Sequence, residues 1–595
     1  MWSLYNEEDK FLPPLKFSNE KTQQNIVDEV LQAIKEGNKI ILIKGKPGTG
    51  KSAIALNIAK EFSKASIVVP VKYLQKQYEE DYMNKFYLKK GSNKLKITIL
   101  NGRNNHACLF NKEHRADFKL LPCIIELKRE NLDLLRQYIK QNPHVNEEDF
   151  HELKDIKRFS VAAACPYWSP IMPKELTFNL PCEADLVDYK AVKGQEYSVV
   201  NREPGCTYYN QFNSYKFSDV IIFNSKKYEL ENVMNRKPET DVEVIDECDE
   251  FLDNLGNEHK INLNFLSSKV TQLIVKDVVG KDLLFDLNDL IIKIMKEYST
   301  DDKIVKIKET KVAELLTYFI VNQIISEEEE LEPYYGIAKN FESYLDDTYV
   351  AFSRNKSNDF IIKIVNVNLK KKLDELLSKN KVFVMMSGTL HSAAVLKKIF
   401  GIEDFKIIEA ETKDQGKVIK KFSGLEKDFR QRHFESGKFH RKDYLLALNK
   451  AVSSAVKPTL VHVNAFSDLP TESEKEMYNL NLMTREKISE LQDKFRQGEL
   501  LQLFKEGKID ILYSTKCGRG VDLPGNMCNS IIMTKYPYPS MSSIFWKVLK
   551  ETQPDNFLDF YFDKAAREYT QKLYRALRSK DDKVYLFSPD IKVLS

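Results

Sequence analysis

The chain has 595 residues, 42% of them hydrophobic and 30% charged, with 91 Lys and Arg against 87 Asp and Glu. That length exceeds one hydrophobic core, so three or four domains are expected, and only 21 Gly and 20 Pro exclude a largely disordered chain. The net charge of +4 gives no global attraction to a polyanion, so any phosphate-contacting surface must be a local stripe. No apolar run approaches the ~18 residues of a bilayer span, and Met1–Lys10 lacks the apolar stretch of a secretory signal. A soluble intracellular protein (cytoplasm or nucleus) with no membrane partner is expected, its cysteines thiols or metal ligands rather than disulfides.

Taken in chain order, the first predicted element is a strand, Lys39–Lys44 (KIILIK), followed by a Gly-rich turn and a helix over Ala53–Phe62. The turn, Gly45-Lys46-Pro47-Gly48-Thr49-Gly50-Lys51-Ser52, fits G-x-x-x-x-G-K-[ST] in the required strand–loop–helix context. Its glycines let backbone N–H groups converge on phosphate oxygens at a helix N-terminus. Gly45, Gly48, Thr49 and Gly50 would cradle the phosphates of ATP, Lys51 would reach the β- and γ-phosphates, and Ser52 would hold Mg2+. Gln23 or Gln24 is a candidate adenine contact. Ser66–Val71 and Leu95–Leu100 follow as buried strands, with a lysine-rich stretch between them (Lys85, Lys89, Lys90, Lys94, Lys96) that reads as a solvated face.

From Asn101 to Cys206 the alternation deteriorates: helical pattern such as Ile124–Lys140 is broken by Cys- and Pro-containing loops, Ala164–Pro173 and Asn179–Glu183. An insertion into the sheet is expected there, and the sheet resumes with Ser218–Asn224 and Val242–Ile245. The last of these runs into Asp246-Glu247-Cys248-Asp249. Asp246 would contact the Mg2+ shell and Glu247 would activate the attacking water. Asp253 to about Asn358 reads mostly helical and charged, and its acidic run Glu327–Glu330 reads as a solvated helix face. Phe360–Val367 and Lys381–Met386 return to strand, and after about Ile408 a second α/β alternation begins, with strands at Pro458–Val463, Ile509–Tyr513 and Ser530–Met533.

These residues, in this order, resemble the helicases of superfamily 2, whose second motif is usually D-E-A-H or D-E-A-D. Ser387-Gly388-Thr389-Leu390 resembles the third motif, Pro458–Phe466 a degenerate fourth, and Ser514–Gly525 the fifth. Gln571-Lys572-Leu573-Tyr574-Arg575-Ala576-Leu577-Arg578 resembles the sixth, Q-x-x-G-R-x-x-R. The resemblance implies that Gln571 contacts the nucleotide and that Arg575 and Arg578 reach ATP from a second motor domain as arginine fingers. Three positions depart from the pattern and bear on coupling: Tyr574 for Gly, Arg519 for Glu and Asp249 for His.

The resemblance narrows to the XPD/DinG group of iron–sulfur DNA helicases. Gly102-Arg103-Asn104-Asn105-His106-Ala107-Cys108 is similar to that group's G-R-x-N-Y-x-C, and Ala164-Cys165-Pro166-Tyr167 and Cys206-Thr207-Tyr208-Tyr209 resemble its C-P-Y segments. Tyr536-Pro537-Tyr538-Pro539 after the fifth motif also matches. The implied fold class is α/β, with two RecA-like motor domains built on parallel sheets. In residues, motor domain 1 would span 1–103, 207–255 and 358–408, interrupted by an Fe–S insertion at 104–206 and a helical arch-like insertion at 256–357. Motor domain 2 would span 409–595.

Five of the eight cysteines, Cys108, Cys123, Cys165, Cys182 and Cys206, fall in the first insertion, with no C-x-x-C pair anywhere. That disfavours a zinc ribbon. Four thiolates on dispersed loops can hold a [4Fe–4S] cube, although buried structural thiols are the plainer alternative. Matching to the group's motifs implies Cys108, Cys123, Cys165 and Cys206 as ligands; Cys182 follows Pro181 as Cys123 follows Pro122, so Cys182 stays open as a replacement for Cys123. Cys517 and Cys528 are expected to pack beside the fifth motif. Tyr167, Trp168, Tyr208 and Tyr209 are candidates for stacking on bases or for packing around the cluster.

The resemblance thus implies a monomeric ATP-dependent helicase that moves 5′ to 3′ on single-stranded or forked DNA, with RNA as the alternative strand. The competing reading is a nucleic-acid-stimulated ATPase that remodels protein–nucleic-acid complexes without unwinding.

Overall fold

The computed structural model describes residues 1–595 except 128, 152, 180–181, 276–280, 323–329, 414–415, 495–498 and 516–520. Arg519, Cys517 and most of the acidic run at 327–330 therefore lie outside the described residues.

A seven-stranded, wholly parallel sheet organises the first half. Its order is Lys406–Glu409, Ile40–Lys44, Phe383–Ser387, Val242–Asp246, Ala65–Val69, Val220–Asn224 and Ile97–Ile99. Strands covered on both faces need no polar side, which is why IILIK and VIIF read as continuous apolar runs. In the strand Ile40–Lys44, Ile41 and Ile43 point into one core with the helices Gln23–Lys35 and Lys51–Ala59. Ile40 and Leu42 point into the other, with the helices Cys248–Asp253 and Leu369–Ser378. A second parallel sheet, of five strands, takes the order Lys417–Lys420, Lys583–Phe587, Ser530–Met533, Thr459–His462, Ile511–Ser514. The α/β class with parallel sheets is thus as expected.

Both insertions differ from their sequence reading. The cysteine-rich segment contains a three-stranded antiparallel sheet, Ile171–Pro173, Glu196–Asn201 and Asp185–Lys190, beside a small core of Ile125, Leu135, Tyr138, Ile139, Ile156, Val161 and Ala164. The second insertion is not purely helical. Its helices Leu263–Val275, Lys281–Glu297, Lys311–Val321 and Glu332–Phe341 pack on a four-stranded antiparallel sheet. Phe360–Asn366, which reads from sequence as a motor strand, is a central strand of that sheet, between Asn257–Asn262 and Thr348–Arg354. Its alternating burial, one face on the helices, is what an antiparallel half-buried strand requires. Among the described residues no helix is long and apolar enough to cross a membrane.

Two helices near the C-terminus, Ile544–Thr552 and Pro554–Leu573, tie the halves together. Trp546, Leu549, Phe557 and Phe560 are buried in the same core as Ile40, Leu42 and Phe383 of the first sheet. The second helix then runs on toward the crevice between the sheets, where its last turns carry Arg567 and Gln571.

Candidate active site

Strand Ile40–Lys44 ends at the Gly45–Ser52 turn, and helix Lys51–Ala59 begins inside it, with Gly50 as a left-handed N-cap at φ 67°. A side chain at Gly50 would be strained by that φ and would strike the Gln23 amide, 2.4 Å from an ideal Cβ. Gln23 is buried and braces the turn: its Nε2 donates to the Thr49 carbonyl at 2.9 Å, and its Oε1 accepts from Leu15 N–H at 2.9 Å. Gln23 thus serves the loop's backbone. Gln24 pairs with Asp28 on the exposed face of the same helix.

Asp246 ends the central strand Val242–Asp246, and Glu247 follows at φ 48°, an uncommon left-handed conformation for a non-glycine residue. That turn places both carboxylates at the phosphate loop, with Lys51 Nζ 3.6 Å from Glu247 Oε1. Burial, and after it the neighbouring Glu247, pushes the Asp246 carboxyl up to about 6, with Lys51 opposing. A buried carboxylate so crowded by like charge is a site that favours a cation.

The second sheet supplies the opposite wall. One cavity of about 290 Å³ is lined by Pro47–Ser52, Asp246 and Glu247 on one side and by Asp522, Gln571, Tyr574, Arg575 and Arg578 on the other. The residues expected to touch the phosphates and metal line it except Gly45, whose carbonyl accepts from Lys51 at 3.4 Å; Gln23 and Gln24, the candidate adenine contacts, do not line it. Arg575 is buried and held within its own domain: its guanidinium donates to the Gln571 carbonyl, to Gln571 Oε1 and to the Val521 carbonyl at 3.0–3.1 Å. Arg578 pairs with Asp522. Tyr574, where the sixth motif has Gly, is nearly buried and forms part of the wall.

A buried polar network links the second and third motifs to the helix Pro554–Leu573. Asp249 accepts from Ser387 Oγ at 2.7 Å, Thr389 Oγ1 at 3.0 Å and Arg567 Nη1 at 3.4 Å. Gln571 Nε2 donates to Thr389 Oγ1 at 2.5 Å. Arg567 also grips Asp253, which receives His391 and Lys564 as well. The Asp that replaces the usual His thus finds a cationic partner in the other half of the molecule. Sequence reading missed Arg567, although it lies four residues before Gln571, on the same face of the helix that leads to Arg575.

Burial alone would raise the Asp253 carboxyl; Lys564, Arg567 and His391 together hold it well below its ordinary value. Its contribution is complete above the ordinary carboxylate pKa of about 4 and is lost as pH falls through the lower folded value. At pH 7, Arg567→Met leaves two buried carboxylates short of a partner and should cost about 3–5 kcal/mol. A lowered unfolding temperature at neutral pH measures it.

The five insertion cysteines separate in the structure. Cys108, Cys123, Cys165 and Cys206 surround one small enclosed cavity with Arg103, Leu121 and Tyr209, whereas Cys182 does not line it. Burial, then the proximity of Cys123, Cys206 and Cys108, pushes the Cys165 thiol up to about 12. Arg103 braces the wall, donating to Tyr209 Oη at 3.0 Å and to Cys123 Sγ at 3.5 Å while stacking over Tyr208. Among the described residues no three His, Cys, Asp or Glu side chains are grouped to hold a single metal ion. Cys528 is buried behind the fifth motif in the second domain's core. Trp168 and Tyr209 are 4% and 5% exposed, so neither can stack on a base; Trp168 packs in the first sheet's core and Tyr209 between that core and the cavity wall.

Two family models match: "Helicase C-terminal domain" over residues 448–595 and "Type III restriction enzyme, res subunit" over residues 16–150. The chain is similar in fold to a solved XPD helicase, at 16% identity, 96% coverage of each chain and a TM-score of 0.55. A second solved structure, of apo XPD, aligns at 14% identity with the same coverage and score. No curated protein matches the chain by sequence. At the level of fold and domain models, these findings bear out the resemblance to XPD/DinG-type superfamily 2 helicases.

Proposed function

We propose that this chain, whose fold is that of the XPD-type helicases, is an ATP-hydrolysing motor that moves 5′ to 3′ along single-stranded DNA and separates the strands of a fork. The observation that carries the proposal is the 290 Å³ cavity walled by the phosphate loop and both carboxylates on one side and by Gln571, Arg575 and Arg578 on the other. Phosphoryl transfer needs little covalent help from a protein; it needs positioning and charge complementarity. Lys51 and the loop N–H groups hold the phosphates, Glu247 orients and deprotonates the water, and the arginines meet the charge that develops on the γ-phosphate. Ser52 and Asp246 supply the hard oxygen donors that Mg2+ takes, and the bound ion would offset the phosphate charge. Because the two walls belong to different domains, cleavage and release can open and close the crevice and so shift the grip on a strand.

An adjoining cleft of about 980 Å³, walled mostly by the second sheet's half of the chain with Val71 and Glu250 from the first, suits that strand. It is lined by Arg430, Lys535, Lys572 and Lys592 together with Tyr538 and Phe562. Phe562 is 53% exposed, and the Tyr538 ring stacks on Tyr561 at 5.6 Å and 6°. An exposed ring such as Phe562 beside basic side chains forms a sequence-tolerant platform worth about 1–3 kcal/mol per stacked base. Phe562→Ala should weaken single-strand binding roughly tenfold, read by fluorescence anisotropy, with strand-free ATP hydrolysis unchanged.

The four cavity cysteines fit a [4Fe–4S] cube in donor type and number. Cys108, Cys123, Cys165 and Cys206 would hold it, and its iron–thiolate bonds would stiffen an insertion whose own core is small.

The test is ATP turnover titrated with single-stranded DNA and with RNA, followed by strand displacement on a forked duplex. Stimulation by DNA with displacement supports the proposal. Turnover indifferent to either strand, or stimulation without displacement, refutes a helicase.

A further inference from the structure

Helix Lys72–Glu79 follows the strand Ala65–Val69, which pairs directly with the strand ending at Asp246. It continues into a π-helical stretch, Glu80–Lys85, a rare conformation that recurs at functional sites. Tyr78 points from this helix to the C-terminal end of the central strand and is 1% exposed. Its hydroxyl donates to Asp246 Oδ2 at 3.2 Å. The other carboxylate oxygen, Asp246 Oδ1, accepts from Glu247 N–H at 3.0 Å. Both oxygens of Asp246 are therefore fixed, one by backbone and one by a buried phenol.

A carboxylate that ligates a cation must turn a lone pair toward the ion, so its other hydrogen bonds fix the direction it offers. The Tyr78 proton goes to Oδ2 and the Glu247 N–H to Oδ1, so two hydrogen bonds set the orientation of Asp246 without adding charge. The nucleotide cleft explains why Asp246 is present; it does not account for a buried phenol against that carboxylate.

We propose that Tyr78 is a positioning residue for the metal-binding edge of the nucleotide cleft, holding Asp246 in the orientation that receives the divalent cation of a metal–nucleotide complex. The inference rests on the reading of the cleft as an ATP site. It assigns Tyr78 no contact with the nucleotide. Loss of such an outer partner typically weakens a metal site by about 10–100-fold.

The experiment is a Mn2+ titration of the full chain with ADP present, followed by electron paramagnetic resonance, on the parent, Tyr78→Phe and Tyr82→Phe. Tyr82 packs its ring against Tyr78 at 5.9 Å and serves as the packing control. Tyr78→Phe should need about 10–100-fold more Mn2+ for half-saturation, bind ADP in EDTA like the parent, and regain turnover in excess Mg2+. Tyr82→Phe should follow the parent. If Tyr78→Phe titrates like the parent, the positioning role is overturned while the cleft reading stands. If it loses metal-free ADP affinity and thermal stability to the same extent as Mn2+ affinity, Tyr78 is a packing residue and the inference also fails. A parent chain that takes up no Mn2+–ADP overturns the cleft reading itself.

Discussion

Arg575→Ala should lower strand-stimulated ATP turnover by about 10³–10⁵-fold, the range measured for arginine fingers in phosphoryl transfer. That corresponds to about 4–7 kcal/mol of transition-state stabilisation. Affinity for ADP should change little, because the guanidinium is asked to meet charge that appears only as the γ-phosphoryl group leaves. Arg575 now spends its donors on the Gln571 side chain and on two carbonyls, so it must exchange some of them for phosphate oxygens when nucleotide enters. Arg575→Lys should rescue poorly, since an ammonium cannot keep the forked contacts while reaching the phosphate. Arg578 is paired with Asp522 at the cavity's rim, and Arg578→Ala should cost less. Phosphate release at saturating ATP and strand checks all three. Parent-like turnover by Arg575→Ala would falsify the motor reading.

The next largest effect separates Cys123 from Cys182. Cys123→Ser, and likewise Cys108→Ser, should abolish bound iron and sulfide in anaerobically purified protein, whereas Cys182→Ser should retain both. Serine offers a hard, protonated oxygen where iron–sulfur chemistry takes soft thiolate. The segment between Cys108 and Cys206 rests on a small core and a three-stranded sheet, so losing its metal bonds should expose it to protease. Stimulation by DNA should fall with it, while strand-free turnover persists. Equal iron in Cys123→Ser and parent would return these cysteines to the status of buried structural thiols.

The parts of this molecule that sequence exposes are those with local cause. The strands around Ile40–Lys44, Val242–Asp246 and Ser530–Met533 read to within a residue or two, because a strand buried on both faces must be apolar throughout. The phosphate loop reads from its glycines. The sheet Ile171–Pro173, Glu196–Asn201 and Asp185–Lys190 did not, because DLVDYK and EYSVVN are short, partly exposed and mixed in polarity. Phe360–Asn366 reads clearly as a strand but not as a member of the insertion's sheet, since pairing is a property of two segments. Trp168 and Tyr209 show the same limit: an aromatic ring beside a cysteine looks alike whether it faces solvent or core. Tyr78 and Arg567 act on Asp246 and Asp249, partners 168 and 318 residues away, and no local pattern announces either contact.

The helix Pro554–Leu573 belongs to two bodies at once. Its first turns are cemented into the core beneath the first sheet through Phe557 and Phe560, while its far end leads into Arg575. A rotation of one sheet against the other that keeps those two phenylalanines seated must use the helix as a lever, with its fulcrum at the aromatic end. Displacement then grows along the rod, smallest near Phe557 and greatest at the arginines, and the crevice opens like a clamshell hinged at one edge rather than by parallel separation of its walls.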